Sequence, residues 1–287
     1  MNRYYECHCH MALDGVDFKT AADRHKNGVD TDYIRSVFEK YRAAGVKYVR
    51  DGGDKWDVSA TAAQLAPEYG VEYVTPIFPL FKKGNYGGFL GQSFETMGDY
   101  RQLVAQAKSR GADFIKIMAS GIMDFDVFGR ITGFELTENE LGEMTNIAHG
   151  EGLPVMVHVN SADGVKSAAA AGVDSIEHGN YVDEAALSDM ASAGCVWVPT
   201  VAATANLIGL GLFNDDILKR ILELQKKNIA LGKQKGVLTA PGSDAGTKGV
   251  EHCTGLMDEV KILSGIVGDD ALLRGQERIR AIFSKRR

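Results

Sequence analysis

Eight short apolar runs recur along the chain, separated by longer stretches, several with apolar positions at helical spacing. The strand-like runs cover residues 4–10, 47–53, 72–78, 114–120, 154–159, 175–178, 196–201 and 238–244. Helical periodicity predicts helices over 32–44, 99–110, 138–151, 162–171, 184–193 and 215–235. Gly45, Gly111, Gly152, Gly172 and Gly194 close several of them, because glycine tolerates the left-handed turn after a helix. Strand, helix, glycine, strand repeated in this way predicts parallel pairing, and eight repeats predict a closed α/β barrel of the (β/α)8 TIM type. A doubly wound open sheet is the alternative, but no glycine-rich dinucleotide loop follows the first run.

Alternation within the runs assigns faces. In the first, Glu6, His8 and His10 share the barrel interior, while Tyr5, Cys7 and Cys9 turn toward the helices as packing residues. Phe114, Lys116 and Met118 share a face in the fourth run, and Met156 and His158 do so in the fifth. Three connections after strands are long, over 11–30, 79–98 and 121–136, and in a barrel they roof the end where strand C-termini gather. The whole of 1–287 reads as one barrel domain, with a helical tail from about 254 covering 256–264 and 269–287.

Composition narrows the function classes. The chain has 287 residues, 45% hydrophobic, enough for a large core. A formal net charge of -6 and a pI near 5.7 argue against nucleic acid or an anionic membrane surface as partner. Four cysteines, two of them one residue apart, do not form a disulfide framework. With no basic-then-apolar leader and no run of about 20 apolar residues, the expected home is a reducing cytoplasm. A small molecule is the expected partner, and self-association stays open.

Against this background a set of polar residues stands out at strand ends: His8, His10, Lys116, His158, His178 and Asp244. His-x-His on a strand puts two imidazoles on one face about 6.6 Å apart, within reach of one ion. Lys116 interrupts an apolar run, where an unpaired ammonium is costly. Beside cationic metals its pKa should fall, and a neutral amine can take up carbon dioxide to form a carbamate that bridges two ions. Ligands ending five strands of one barrel converge near its axis, where catalytic groups of that fold belong.

The segments Cys7-His8-Cys9-His10, Val49-Arg50-Asp51-Gly52-Gly53, Ile115-Lys116-Ile117-Met118, Val157-His158-Val159-Asn160, Ile176-Glu177-His178-Gly179 and Gly242-Ser243-Asp244-Ala245-Gly246 carry a resemblance. As an ordered set the chain resembles the amidohydrolase superfamily, in its branch with two metals and a carboxylated lysine. The nearest likeness is to the Xaa-Pro dipeptidase and imidazolonepropionase-like group.

The resemblance implies that His8, His10 and Asp244 hold one metal, His158 and His178 the other, and carboxylated Lys116 bridges them with a hydroxide. Asp244 then moves the proton to the leaving amine. Zinc is the expected metal for this donor set, with manganese, cobalt or iron also fitting. The implied activity is hydrolysis of a C–N amide bond, as in a dipeptide or N-acyl amino acid. A lactonase or phosphotriesterase-type hydrolase, or a non-catalytic metal- or ligand-binding barrel, are the alternatives. Arg50, Lys82, Lys83, Arg130 and Tyr181 are candidate anchors for a substrate carboxylate, and His252 is a candidate near the pocket. Most relatives carry a flanking β-sandwich built from segments outside the barrel. The few residues before His8 and the helical tail lead us to expect a barrel without it.

Overall fold

The structure, a computed structural model, describes residues 3–284. It opens with β1 (Glu6–Cys9), α1 (Phe18–Arg24), α2 (Thr31–Ala44), β2 (Tyr48–Asp51), α3 (Val58–Leu65) and β3 (Glu72–Val74). Next come β4 (Pro79–Lys82), β5 (Gln92–Phe94), α4 (Met97–Ser109), β6 (Ile115–Met118), α5 (Glu138–Gly150), β7 (Val155–Ser161) and α6 (Ala162–Ala170). The chain then forms β8 (Ser175–Tyr181), α7 (Glu184–Ala193), β9 (Val196–Val198), α8 (Ala202–Ala205), α9 (Asp215–Lys235) and β10 (Leu238–Thr239). Helices α10 (Thr254–Val267) and α11 (Asp269–Phe283) complete it, and 285–287 of the predicted helical tail lie outside the described residues.

The helix ends follow local chemistry. Asp30 caps α2 by accepting from the Tyr33 amide at 3.0 Å, and Gly45 ends it at φ 77°. Thr137 and Glu140 form a reciprocal capping box at the start of α5.

All strand pairing is parallel, in the orders β1-β2-β3 and β10-β9-β8-β7-β6-β4-β5. Backbone hydrogen bonds join the two sheets at both margins. Cys7 N donates to Pro241 O at 3.1 Å, Asp244 N to His8 O at 2.8 Å and His10 N to Ala245 O at 2.7 Å, linking the segment after β10 to β1. On the other side Asp113 N, just before β6, donates to Thr75 O at 2.9 Å, just after β3. The result is a closed barrel of eight staves, in which β3 and β4 are two halves of the third.

Two departures from strand-pattern reasoning have clear causes. The third run breaks because Pro76 has no amide to donate and Ile77 adopts φ 68°; the chain re-enters the wall as β4, inside what the pattern assigned to a long loop. The register of β1 shifts between Glu6 and Cys9, a bulge that reverses parity for part of the strand. Cys7 therefore packs in the barrel with Tyr48, Phe114, Met156, Val196 and Val198, while the Glu6 carboxylate accepts from Ser243 N at 2.8 Å and Oγ at 2.6 Å. Cys9 does face a helix, against Ile34, Val37 and Phe38. Ile279 and Phe283 of α11 join the Cys7 cluster and close the barrel floor.

Candidate metal centre

The upper barrel holds all six polar residues picked out by pattern. Nearest the axis, Lys116 Nζ lies 3.1 Å from His8 Nε2 and 3.5 Å from His10 Nε2. Asp244 Oδ1 lies 3.5 Å from His8 Nε2 and 3.3 Å from His10 Nε2, and one donor atom from each of these three residues falls within 4.8 Å of the others. The His178 ring lies 5.1 Å from that of His8 and 4.6 Å from that of His158, centroid to centroid.

Backbone strain delivers two of these groups. His178 has φ 67° and Asp244 φ 61°, left-handed values that cost about 1–3 kcal/mol each outside glycine and persist at functional sites. At His178 the excursion breaks strand alternation, so Glu177 below it and His178 itself both serve the interior. Thr200, at φ 51°, belongs to the same set. Gly52 is required for a different reason: a Cβ there would lie 2.4 Å from His10 Cε1 and 2.8 Å from Lys116 Nζ.

Three of the four imidazoles are oriented by a polar partner on the ring. His8 Nδ1 lies 2.7 Å from Glu177 Oε2, which fixes the ring and turns Nε2 toward Lys116. His178 Nδ1 lies 2.8 Å from Thr200 Oγ1. His158 Nε2 sits 3.2 Å from Gly121 O, which also accepts from Asn160 Nδ2 at 2.8 Å. Below this layer, Arg50 donates to Cys7 O at 2.6 Å, to Ser175 Oγ at 2.7 Å, and to both oxygens of Glu177 at 2.9 and 3.0 Å. The Phe283 ring lies 4.4 Å beneath its guanidinium.

The electrostatics suit metal ligation. Burial holds His8 and His158 well below the usual imidazole range and pushes His178 down to about 3, so all three are neutral at neutral pH. Burial also lowers Lys116, with Asp244, Glu177 and Asp51 opposing it. For Asp244 burial acts to raise the pKa, but the His10 contact and the neighbouring imidazoles outweigh it and keep the carboxyl well below its ordinary value.

These residues fit a metal centre. Among the described residues, His10 Nδ1 and Asp244 Oδ1 are buried without a hydrogen-bond partner, and no carboxylate lies within ion-pair distance of Lys116. A buried amine facing imidazole nitrogens rather than an acid is poorly accounted for by packing alone.

Above the centre a cavity of about 260 Å³ opens between the long connections. None of the candidate substrate anchors reaches it. Arg50 is fully buried in its pair with Glu177, Lys82 pairs with Glu140, and Lys83 pairs with Glu95. Arg130 pairs with Asp124 at 2.6 Å, and Tyr181 packs edge-on against Phe128. His252 lies behind the first long connection, between the Tyr41 hydroxyl at 3.1 Å and Leu13 O at 2.9 Å. Pattern reading passed over Glu177 and Thr200. An acid alternating with Ser175 in an apolar run was a usable signal for the first; nothing local marks the second.

Fold and site together define a (β/α)8 barrel with a histidine-rich centre at the C-terminal ends of its strands. The chain belongs to the amidohydrolase family, whose profile matches residues 30–275, and is thus a hydrolase of carbon–nitrogen bonds. It is similar to an uncharacterized protein of Mycobacterium tuberculosis, 25% identical over 276 residues, covering 93% of this chain and 70% of that one. Among solved structures it resembles a prolidase complexed with N-methylphosphonate-L-proline, with TM-score 0.76 and 20% identity over 98% of this chain and 74% of the other. A Xaa-Pro dipeptidase with bound methionine gives TM-score 0.75 and 22% identity over the same shares. Ochratoxinase from A. niger gives TM-score 0.74 and 20% identity, covering 97% of this chain and 69% of that one.

Proposed function

We propose that this protein hydrolyses an amide bond of a small molecule at a centre of two divalent metal ions. His8, His10 and Asp244 hold one ion, His158 and His178 the other, and Lys116, carboxylated by carbon dioxide, is shared. Zinc is the first candidate for this imidazole-and-oxygen donor set. When bound, the ions acidify a shared water and polarise the substrate carbonyl.

The chain's own residues do the rest. Asp244, kept ionised at neutral pH, accepts a proton from the attacking water and passes it to the leaving nitrogen. Water oxygen bonds to the carbonyl carbon, the C–N bond breaks, and a carboxylic acid and an amine result. Glu177 and Thr200 keep the rings of His8 and His178 in one orientation. The observation carrying this reading is Lys116: a buried amine, 1% exposed, among imidazoles and without an acid partner within ion-pair reach among the described residues. Support also comes from the prolidase and Xaa-Pro dipeptidase neighbours, whose reactions break amide bonds.

The test is elemental analysis of protein purified without chelator and reconstituted with and without bicarbonate, beside a panel of amides, lactones and phosphotriesters. About two ions per chain, dependent on bicarbonate, with turnover confined to amides, is the expected result. One ion without bicarbonate dependence would refute the paired centre. Turnover of lactones or phosphotriesters alone would refute the amide assignment.

A further inference from the structure

The cavity wall between centre and solvent is aromatic. Tyr86 lies 5.3 Å from the His158 ring, Phe89 5.0 Å from Tyr86, and Phe18 5.6 Å from Phe89, centroid to centroid. This arc runs from a candidate ligand to the mouth, where Phe18 is 46% and the adjoining Val16 58% exposed. The lining also carries Met118, Ile122, Met123 and a second aromatic pair, Phe125 and Phe213, 4.9 Å apart. Apolar side chains left open to water beside a pocket mark a surface that something apolar covers.

The charges are as informative. Apart from the histidines, the lining holds only four ionisable side chains of ordinary charge: Asp17, Lys116, Lys248 and Asp244. Lys116 and Asp244 belong to the centre. Lys248, exposed at the rim, donates to Val16 O at 2.5 Å and acts electrostatically on Asp17, so the rim sets one cation against one anion. No arginine lines the cavity, and Arg24, Lys82, Lys83 and Arg130 pair with Asp14, Glu140, Glu95 and Asp124. A substrate carboxylate lying along the aromatic arc would lose water and meet phenyl rings, and the one cation outside the centre, Lys248, shares the rim with an acid.

We infer that the substrate is an uncharged, hydrophobic amide, with an alkyl or aryl group lying along the Phe18–Phe89–Tyr86 arc, rather than a dipeptide or N-acyl amino acid bearing a free carboxylate. The inference rests on the site proposed above, yet it concerns the wall and can fail separately from the chemistry. Phe125 and Phe213, a second aromatic pair in the same lining, act as further specificity residues.

The experiment uses the metal-loaded full chain and two ligands that cannot be hydrolysed: butanesulfonanilide and the same molecule with a para-carboxylate, which points away from the sulfonyl group. Binding is measured by titration calorimetry, beside hydrolysis of the matching butyranilides. The expected result is at least tenfold tighter binding of the neutral compound, and a Phe213→Arg variant, altered only at the half-buried mouth, that narrows or inverts this ratio. Equal or tighter binding of the carboxylate by the unaltered protein, or binding of neither, overturns the inference. Preference for the neutral ligand without hydrolysis of either anilide sustains it while sinking the amide chemistry; hydrolysis with carboxylate preference does the reverse.

Discussion

Glu177 is the residue on which the site's geometry turns, and replacing it by glutamine isolates that role. Its carboxylate accepts two bonds from Arg50 Nη2, one from Ser175 Oγ at 2.5 Å and one contact from His8 Nδ1, all fully buried. Glutamine has nearly the same shape but a single acceptor oxygen. That oxygen can keep His8 and one Arg50 contact, or Ser175 and the other Arg50 contact, and in either case the amide NH2 confronts the guanidinium. Two bonds to a charged acceptor contribute about 1.5–3 kcal/mol each, and stripping one partner from a buried ion pair costs about 3–5 kcal/mol. Glu177→Gln is therefore expected to lose about 3–5 kcal/mol in urea unfolding of chelator-treated protein. Metal affinity should fall by about 10–100-fold, the usual effect of losing the group that orients a ligating histidine. The double change Arg50→Met with Glu177→Gln removes the orphaned cation and frees the amide oxygen for His8, so both losses should shrink. An unfolding midpoint and a metal affinity unchanged by Glu177→Gln would refute the idea that a buried ion pair sets the His8 ring.

Further predictions follow from single contacts. Gly52→Ala puts a methyl 2.4 Å from His10 Cε1, so metal content should drop below that of the parent while far-ultraviolet circular dichroism stays the same. Thr200→Val leaves His178 Nδ1 unpaired and should weaken metal binding by about 10–100-fold, read by competition with a chromophoric chelator. Burial pushes Glu259 up to about 8, while its Oε2 accepts from Ala202 N at 2.7 Å. A carboxyl raised in this way is protonated when folded, so its contribution is complete below the unfolded value near 4.5. It is lost, at about 1.4 kcal/mol per pH unit, as pH rises toward about 8. Glu259→Gln should flatten that decline in pH-dependent unfolding, and a curve parallel to the parent's would contradict it.

The barrel was legible because eight buried staves alternate with amphipathic helices, and glycine marks several of the turns between them. The metal-centre candidates were legible because charged or imidazole groups in apolar strand ends are costly unless they have work to do. What escaped were features with no periodic signature. The bulge in β1 depends on how Glu6 meets Ser243, more than two hundred residues away, and reversed the facing of Cys7. The split of the third stave turned on Ile77. Arg50 looked like a free cation, and only the tertiary structure shows it paired with Glu177 beneath the centre. Long-range partners of this kind cannot be read from spacing, and they decide which charges remain available to a substrate.

The central claim is that Lys116 carries a carbamate shared by two ions, and carbon-13 NMR tests it most directly. Metal-free protein reconstituted with zinc and carbon-13 bicarbonate should show one carbamate resonance, absent from Lys116→Ala and lost when the metal is removed. Full zinc loading with no such resonance, or a resonance that survives in Lys116→Ala, would contradict the account.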